Sequence, residues 1–184
     1  RGEYLGEFHG DDQVLVVLEN GEFCTTTSDA TNHYDPNILR IEKFDPDKVW
    51  TVALYDAAQG YPYLKRFVFE AGSRKQSFLG DNPDSRLLLI TDTAYPRIEV
   101  AFGEGDSFRE PMVVDAAEFI AVKGFKAKGK RLTNYSVATI NELEPLRQED
   151  DSVVEDDSSV ETDTLMDSNV DKPEDSASGQ MTLF

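Results

Sequence analysis

Short runs of apolar residues, each broken by a turn signal, recur along the first 147 residues of the chain. Four phrases share the order strand, turn, strand; they begin at Val14, Val49, Leu87 and Phe119, with spacings of 35, 38 and 32 residues. A recurrence at roughly 20–50 residues is typical of repeat architectures in which each unit is one supersecondary element. Because helical periodicity is scarce, the pattern predicts an all-β fold of repeated hairpin blades.

Individual runs refine this prediction. Asn20-Gly21 lies between two strand-like runs and is the strongest short-range signal for a hairpin. Val14–Leu18 and Leu87–Ile90 are continuously apolar, which indicates strands covered on both faces. The run Val137–Leu143 fits either one or two turns of helix or a closing strand.

Composition changes abruptly after residue 147. Residues 1–147 contain 17 basic and 24 acidic residues, whereas residues 148–184 contain 1 basic and 12 acidic residues with few large apolar ones. A segment of the second kind cannot bury enough apolar surface to offset the entropy of ordering it. We therefore predict a β domain over 1–147 and a disordered acidic tail over 148–184. The overall acidity describes the tail, so it does not argue against a nucleic-acid partner of the domain.

The sequence lacks the residues that several classes of functional site require. The single cysteine, Cys24, excludes an intrachain disulfide, and no apolar run approaches the length of a membrane span. His9 and His33 have no partners at metal-ligand spacing, so we predict no metal site. No phosphate loop or dinucleotide fingerprint is present, which predicts no bound cofactor. An enzyme using a carboxylate pair such as Asp92 and Glu99 is a weak alternative, because no third catalytic group accompanies them.

Positive charge is concentrated in the last repeat. No acidic residue lies between Glu118 and Glu142, and a dense group of cations falls within nine residues of that interval. Such a patch suits binding of phosphates without reading bases. An ordinary solvated, charge-protected sheet edge is the alternative reading. The candidate DNA contacts are Lys123, Lys126, Lys128, Lys130 and Arg131, extended by Lys65, Arg66, Arg74 and Lys75.

Two of the repeats carry a resemblance to a known family. The phrase EFIAVKGFKAKGKRLTNYSVATINELEP, residues 118–145, resembles the last blade of the C-terminal domain of the bacterial type II topoisomerase A subunit, in gyrase and topoisomerase IV. DQVLVVLENGEFCTTT, residues 12–27, is similar to another blade of that family. The resemblance implies a propeller-like β-pinwheel whose basic outer rim binds and bends duplex DNA. It also implies that the catalytic residues lie in the part of the subunit preceding this domain.

Further expectations follow from the same resemblance. The chain begins with Arg1, and we expect it to be a piece of a longer protein that works in the cytoplasm at the nucleoid. Its partners would be duplex DNA, the rest of the A subunit and the ATPase B subunit; ATP and Mg²⁺ are implied only for the full enzyme. The Gln-Arg-Arg-Gly-Gly-type box of gyrase A is absent, which favours a topoisomerase IV-like role. A protein-interaction β-propeller with no nucleic-acid partner is the alternative.

The acidic tail ends in a short apolar motif. Gln180, Leu183 and Phe184 match the Gln-x-x-Leu-Phe pentapeptide with which bacterial replication proteins bind the sliding clamp. A flexible tether that presents an apolar pair to a hydrophobic groove fits this role. The acidic run itself is either an intramolecular competitor of DNA at the basic rim or a solubilising linker.

Overall fold

Strands account for nearly all the regular structure. The computed structural model describes residues 4–28 and 36–148. The strands there are β1 (Gln13–Leu18), β2 (Glu22–Thr27), β3 (Ile38–Lys43), β4 (Trp50–Asp56), β5 (Tyr61–Phe67), β6 (Gln76–Ser77), β7 (Arg86–Thr91), β8 (Arg97–Phe102), β9 (Met112–Asp115), β10 (Lys130–Arg131) and β11 (Val137–Leu143). Helical structure in these residues is limited to α1 (Ala116–Phe119) and a 3-10 turn at Glu104–Asp106. The predicted all-β class is confirmed.

The strands form antiparallel sheets built on one plan. The first sheet has the order β3-β1-β2-β6, the second β7-β4-β5-β10, and the third, within the described residues, β11-β8-β9. In each sheet a central strand pairs on one side with the next strand along the chain. On its other side it pairs with the last strand of the same repeat unit. The first two repeats seen in the sequence each open a sheet, whereas the third sheet opens at β8, inside the third repeat.

Successive sheets exchange short strands. β6 follows β5 in sequence, yet it pairs with β2 of the first sheet, with Gln76 opposite Phe23. β10 follows β9, yet it pairs with β5 of the second sheet, with Arg131 opposite Tyr63. The first and second sheets are thus each completed by a strand from a later repeat, an arrangement that fits the expected β-pinwheel.

The first two predicted hairpins are confirmed, and glycine closes each turn. Gly21 has φ +88° and donates its N–H to Leu18 O at 3.0 Å, between β1 and β2. Gly60 has φ +81° and donates its N–H to Asp56 O at 2.7 Å, between β4 and β5. Both conformations lie in the left-handed region that glycine adopts at little cost.

The third predicted hairpin is wrong. β7 pairs with β4 of the second sheet, whereas β8 opens the third sheet and pairs with β9 and β11. Residues 92–96 therefore carry the chain from one sheet to the next. The pattern strand–turn–strand identifies strands but not their partners, because the connection has no two-residue turn that would fix a register.

The fourth predicted hairpin is also wrong. Between Phe119 and Thr133 there is one two-residue strand, β10. Val122 forms a parallel bridge to Arg66, and Lys130 pairs with Leu64. Both flanks of this segment therefore attach to the edge of β5 instead of to each other. The open choice at Val137–Leu143 resolves to a strand, β11.

The core lies between the sheets. One buried cluster joins the first and second sheets and includes Trp50 and several phenylalanines, and a second cluster joins the second and third sheets. β4 serves both, since Val52 faces the first cluster and Ala53 the second. In β1, Leu15 and Val17 face the aromatic cluster while the alternate residues face a third cluster, so the prediction of a strand covered on both faces is confirmed.

Parts of the sequence-based prediction lie outside the described residues: His33, residues 149–184 and, with them, Gln180, Leu183 and Phe184. Residues 1–145 form one compact unit, and residues 146–148, from a second unit, contain no strand or helix. In residues 4–28 and 36–148 no helix has the length and apolar character required to cross a bilayer.

Candidate nucleic-acid interface

The cationic segment 123–131, here called the basic loop, is fastened at both ends to β5. Lys123 donates its backbone N–H to Arg66 O at 2.9 Å. Beyond the other end, Leu132 donates its N–H to Pro62 O at 2.8 Å. The basic loop therefore bulges from the edge of β5 and is hydrogen-bonded to that strand at both ends.

Buried groups anchor the middle of the basic loop. The Phe125 ring is 2% exposed and packs edge-on against Phe23, with ring centroids 4.9 Å apart. Gly129 has φ +93°, and a Cβ there would lie 2.6 Å from Leu64 O. A hydrogen bond of 3.0 Å from Ala127 N–H to Gly124 O closes the turn between these anchors. The loop backbone is thus fixed while its polar side chains face outward.

The five predicted cations of the basic loop are all exposed: Lys123, Lys126, Lys128, Lys130 and Arg131. Two of them are also oriented by neighbours. Lys130 Nζ lies 4.4 Å from the Phe119 ring centroid. The Arg131 guanidinium lies 4.0 Å from the Tyr61 ring and donates to Asn134 Oδ1 at 2.8 Å. Cation–π contacts of this kind orient a side chain without neutralising its charge.

A groove of about 670 Å³ brings the two exchanged segments together. Arg74 and Lys75, just before β6, line it together with Lys126 and Lys128 of the basic loop. Apolar side chains that include Phe125 contribute to its lining. Asp56 and Asp81 also line it, so the cations outnumber the acids without excluding them. The structure therefore places the separate cation groups at 74–75 and 126–128 around one concave surface.

A smaller groove of about 360 Å³ lies on the other side of the basic loop. It is lined by Lys123, Lys128 and Lys130, with Phe119 and Ile120 as apolar neighbours. Lys128 lines both grooves, so the two form a continuous cationic surface. No acidic side chain is among the described residues that line the smaller groove.

Lys65 and Arg66 differ from the five exposed cations because both are nearly buried, although Lys65 is among the residues that line both grooves and Arg66 among those that line the smaller one. They are 5% and 8% exposed, because β5 is covered on both faces. Lys65 Nζ donates to the carbonyl oxygens of Phe125 at 2.6 Å and Ala127 at 2.9 Å. Arg66 donates from Nε to Thr51 Oγ1 at 3.0 Å and from its terminal nitrogen to Ala94 O at 3.2 Å.

Burial changes the acid–base behaviour of both cations. Desolvation lowers the pKa of Lys65 to about 8, against the opposing charge of Asp56. Desolvation also lowers the pKa of Arg66, and the charges of Asp115 and Tyr95 oppose the shift. With a pKa of about 8, Lys65 is predominantly protonated at neutral pH, and an arginine guanidinium is not deprotonated in proteins.

The carboxylate pair considered for an enzyme has a structural role at Asp92. Lys48 Nζ lies 2.9 Å and the Arg40 guanidinium 3.5 Å from Asp92 Oδ2. Burial raises the pKa of Asp92, but the hydrogen bond from Lys48 and the two positive charges outweigh it and hold the pKa below its usual value. Glu99 is half-buried in β8. In residues 4–28 and 36–148 no group of three or more His, Cys, Asp and Glu is placed to hold a metal ion.

Sequence reasoning missed the residues that shape the interface without contributing charge to its surface. Phe125 and Gly129 are both required by the backbone path of the loop. The available signal was an aromatic residue inside a run of lysines. A solvated loop has no need of a large apolar ring, so this residue indicates an anchor.

Comparison with known proteins agrees with the fold described above. No curated protein matches the chain. The model of the family described as the topoisomerase C-terminal domain of Bacteroidota matches residues 1–144, which include all the described strands. The repeated sheets, the exchanged strands and the extent of this match lead to one assignment: the chain belongs to the bacterial topoisomerase C-terminal domain family.

Proposed function

We propose that the basic loop and the neighbouring Arg74 and Lys75 bind the phosphates of duplex DNA, and that the domain presents a bent duplex to the cleavage core of a type II topoisomerase. The observation that carries this proposal is the groove in which Arg74, Lys75, Lys126 and Lys128 converge. Membership in a topoisomerase domain family supports it. A domain of this family is a non-catalytic part of its enzyme.

The mechanism is electrostatic. Lysine and arginine side chains that neutralise phosphates release condensed counterions, so affinity falls steeply as salt rises and depends little on sequence. Lys128 lines both grooves, so a duplex bound there would contact cations on both sides of the basic loop, and the proposed bend would bring further phosphates to them. Smooth bending of a short site costs about 1–6 kcal/mol, which added phosphate contacts offset.

Replacing Lys126 and Lys128 with alanine should weaken duplex binding and flatten its salt dependence. If each lysine neutralises one phosphate, the slope of log K against log salt becomes less negative by about 1.8 for the two contacts. The measurement is a salt titration of binding to a random-sequence duplex by fluorescence anisotropy, for the 184-residue chain and for the variant.

The matched control is Lys43→Ala with Arg86→Ala, which removes the same charge from exposed positions outside both grooves. This variant should retain the slope of the parent chain. Equal loss of slope in both variants would show diffuse attraction instead of a site. Failure of both the parent chain and a chain ending at Arg147 to bind duplex at low salt overturns the proposal and favours the protein-interaction propeller.

The same titration addresses the acidic tail. We propose that residues 148–184, with 12 acidic residues and 1 basic one, compete with DNA for the basic surface. A chain ending at Arg147 should then bind duplex more tightly than the full chain. Equal affinity of the two chains would leave the tail as a solubilising linker.

Finer assignments extend this proposal. The missing Gln-Arg-Arg-Gly-Gly-type box favours a topoisomerase IV-like enzyme over gyrase, acting at the nucleoid in the cytoplasm. The catalytic residues, with ATP and Mg²⁺, then belong to the rest of the A subunit and to the ATPase B subunit. In this assignment the present chain holds and directs DNA, and its partners perform the chemistry.

The end of the chain supplies a further partner. We propose that Gln180, Leu183 and Phe184 bind the hydrophobic groove of the sliding clamp. Deleting residues 180–184 should abolish binding to an immobilised clamp, and Leu183→Ala with Phe184→Ala should do the same. Undiminished binding after the deletion would exclude the motif.

A further inference from the structure

We propose that Lys65 is a positioning residue, whose ammonium group holds the basic loop in the shape that presents Lys126 and Lys128 to the groove. The effect on DNA rests on the proposed function; the effect on the loop does not. The sequence placed Lys65 among the DNA contacts, whereas the structure assigns it the support of those contacts.

The Lys65 ammonium group forms hydrogen bonds to the loop backbone on both sides of Lys126. Lys65 Nζ donates to Phe125 O at 2.6 Å and to Ala127 O at 2.9 Å, the carbonyl groups on either side of Lys126. An ammonium group has three donors, and two of them fix consecutive parts of the loop backbone. Charge-assisted hydrogen bonds are shorter and stronger than neutral ones. The loop turn at Lys126 is therefore held by a charge beneath it.

A direct phosphate contact does not fit the surroundings of Lys65. Its side chain is 5% exposed, and Nζ lies 5.7 Å from the Phe67 ring centroid. The aliphatic stem packs in the apolar interior while the ammonium reaches the carbonyl groups of the loop, as long cationic side chains commonly do. DNA at the surface contacts the exposed cations, and Lys65 acts through the backbone that carries them.

The surroundings also explain why a lysine occupies this buried position. An apolar residue of similar size would fill the space but leave the two carbonyl oxygens without this donor. Asp56 contributes an opposing charge that favours the ammonium form. Lys65→Met is therefore the appropriate variant, since methionine retains an unbranched apolar stem and removes only the donor.

In the free protein, Lys65→Met should accelerate amide hydrogen exchange across residues 123–131 by about tenfold or more, because it removes two charge-assisted hydrogen bonds and one alone is worth about this factor. Exchange in the β1–β2 hairpin should remain unchanged. The matched control is Lys43→Met, which removes one exposed cation from β3 and should leave loop exchange at its parent value. Acceleration spread evenly over all three sheets would overturn the proposal in favour of a general role in stability.

Duplex binding separates positioning from contact. Lys65→Met should weaken binding by about tenfold in the parent chain, yet by less than about twofold in the Lys126→Ala/Lys128→Ala background, because its effect passes through those lysines. A direct contact would instead change the salt slope by about 0.9 in both backgrounds, with loop exchange unaltered. That outcome would overturn the proposal.

A measurement on the parent chain covers the case in which the variant does not fold. In NMR spectra of ¹⁵N-labelled lysine side chains, the Lys65 ammonium group should exchange its protons with water markedly more slowly than those of the exposed Lys126 and Lys128 at neutral pH. Equally fast exchange at every lysine contradicts the two hydrogen bonds. If neither the parent chain nor the chain ending at Arg147 binds duplex, the proposed function fails, while the exchange experiments still decide the role of Lys65.

Discussion

Replacing Phe78 with alanine should lower the free energy of unfolding by about 3–5 kcal/mol, the usual range for truncating a buried aromatic ring. Phe78 is fully buried and contacts the rings of Phe67 and Phe69, at centroid distances of 5.5 and 5.8 Å. It directly follows β6, the strand that the second repeat contributes to the first sheet. Its loss leaves a cavity at the joint of two sheets, and urea denaturation followed by tryptophan fluorescence measures the change.

Phe108→Ala is the control for this prediction, because that ring is 77% exposed. It should alter the unfolding free energy by less than about 0.5 kcal/mol, as surface substitutions usually do. Similar losses for the two variants would mean that the aromatic cluster does not join the sheets. A large loss for Phe78→Ala with an unchanged first sheet in hydrogen exchange would equally contradict the role given to this segment.

Gly129→Ala should also destabilise the protein and displace the basic loop. Alanine at φ +93° is strained, and its Cβ would lie 2.6 Å from a backbone oxygen, Leu64 O. Backbone strain of this kind costs about 1–3 kcal/mol, and the clash displaces β10 from β5 as well. The variant should lose stability and duplex affinity together, measured by urea denaturation and by the anisotropy titration.

Gly124→Ala provides a matched control in the same loop. No heavy atom lies within 4 Å of a Cβ built at Gly124. This variant should keep the stability and the duplex affinity of the parent chain, with a change below about 0.5 kcal/mol. Equal damage at the two glycines would show that the loop tolerates no side chain anywhere, and the close approach at Leu64 would lose its importance.

Local signals predicted much of the fold. Asn20-Gly21 fixed a hairpin because a two-residue turn of this type sets both the reversal and the register. The continuously apolar run of β1 correctly indicated a strand packed on both faces. These features depend on neighbouring residues, and the sequence carries them directly.

Strand partners were harder to predict, because they depend on contacts between distant residues. β7 and β8 were expected to pair, since they are adjacent in sequence, but each pairs within a different sheet. β6 and β10 have two residues each, so neither strand is long enough to show a hydrophobic periodicity. Their pairing is decided by packing of Phe78 and Phe125, which local pattern does not reveal.

The candidate site was likewise predicted only in part, because the exposed cations were recognised and the burial of the others was not. Exposed cations of the basic loop were recognised from composition alone, because unpaired charges favour solvent. Lys65 and Arg66 are also cationic residues, but they are buried. Only the carbonyl groups around them, supplied by residues far along the chain, explain why charge is buried there.

The exchanged strands also determine when each sheet can form during synthesis. A nascent chain can close the β1–β2 hairpin early, but the fourth strand of that sheet arrives only with Gln76–Ser77, after the next hairpin has been made. The second sheet likewise waits for Lys130–Arg131. Such long-range pairing slows folding and links neighbouring units. Neither of the first two sheets is a self-sufficient module, so deleting the repeat that contains β6 or β10 would leave the first or the second sheet, respectively, with an unpaired edge.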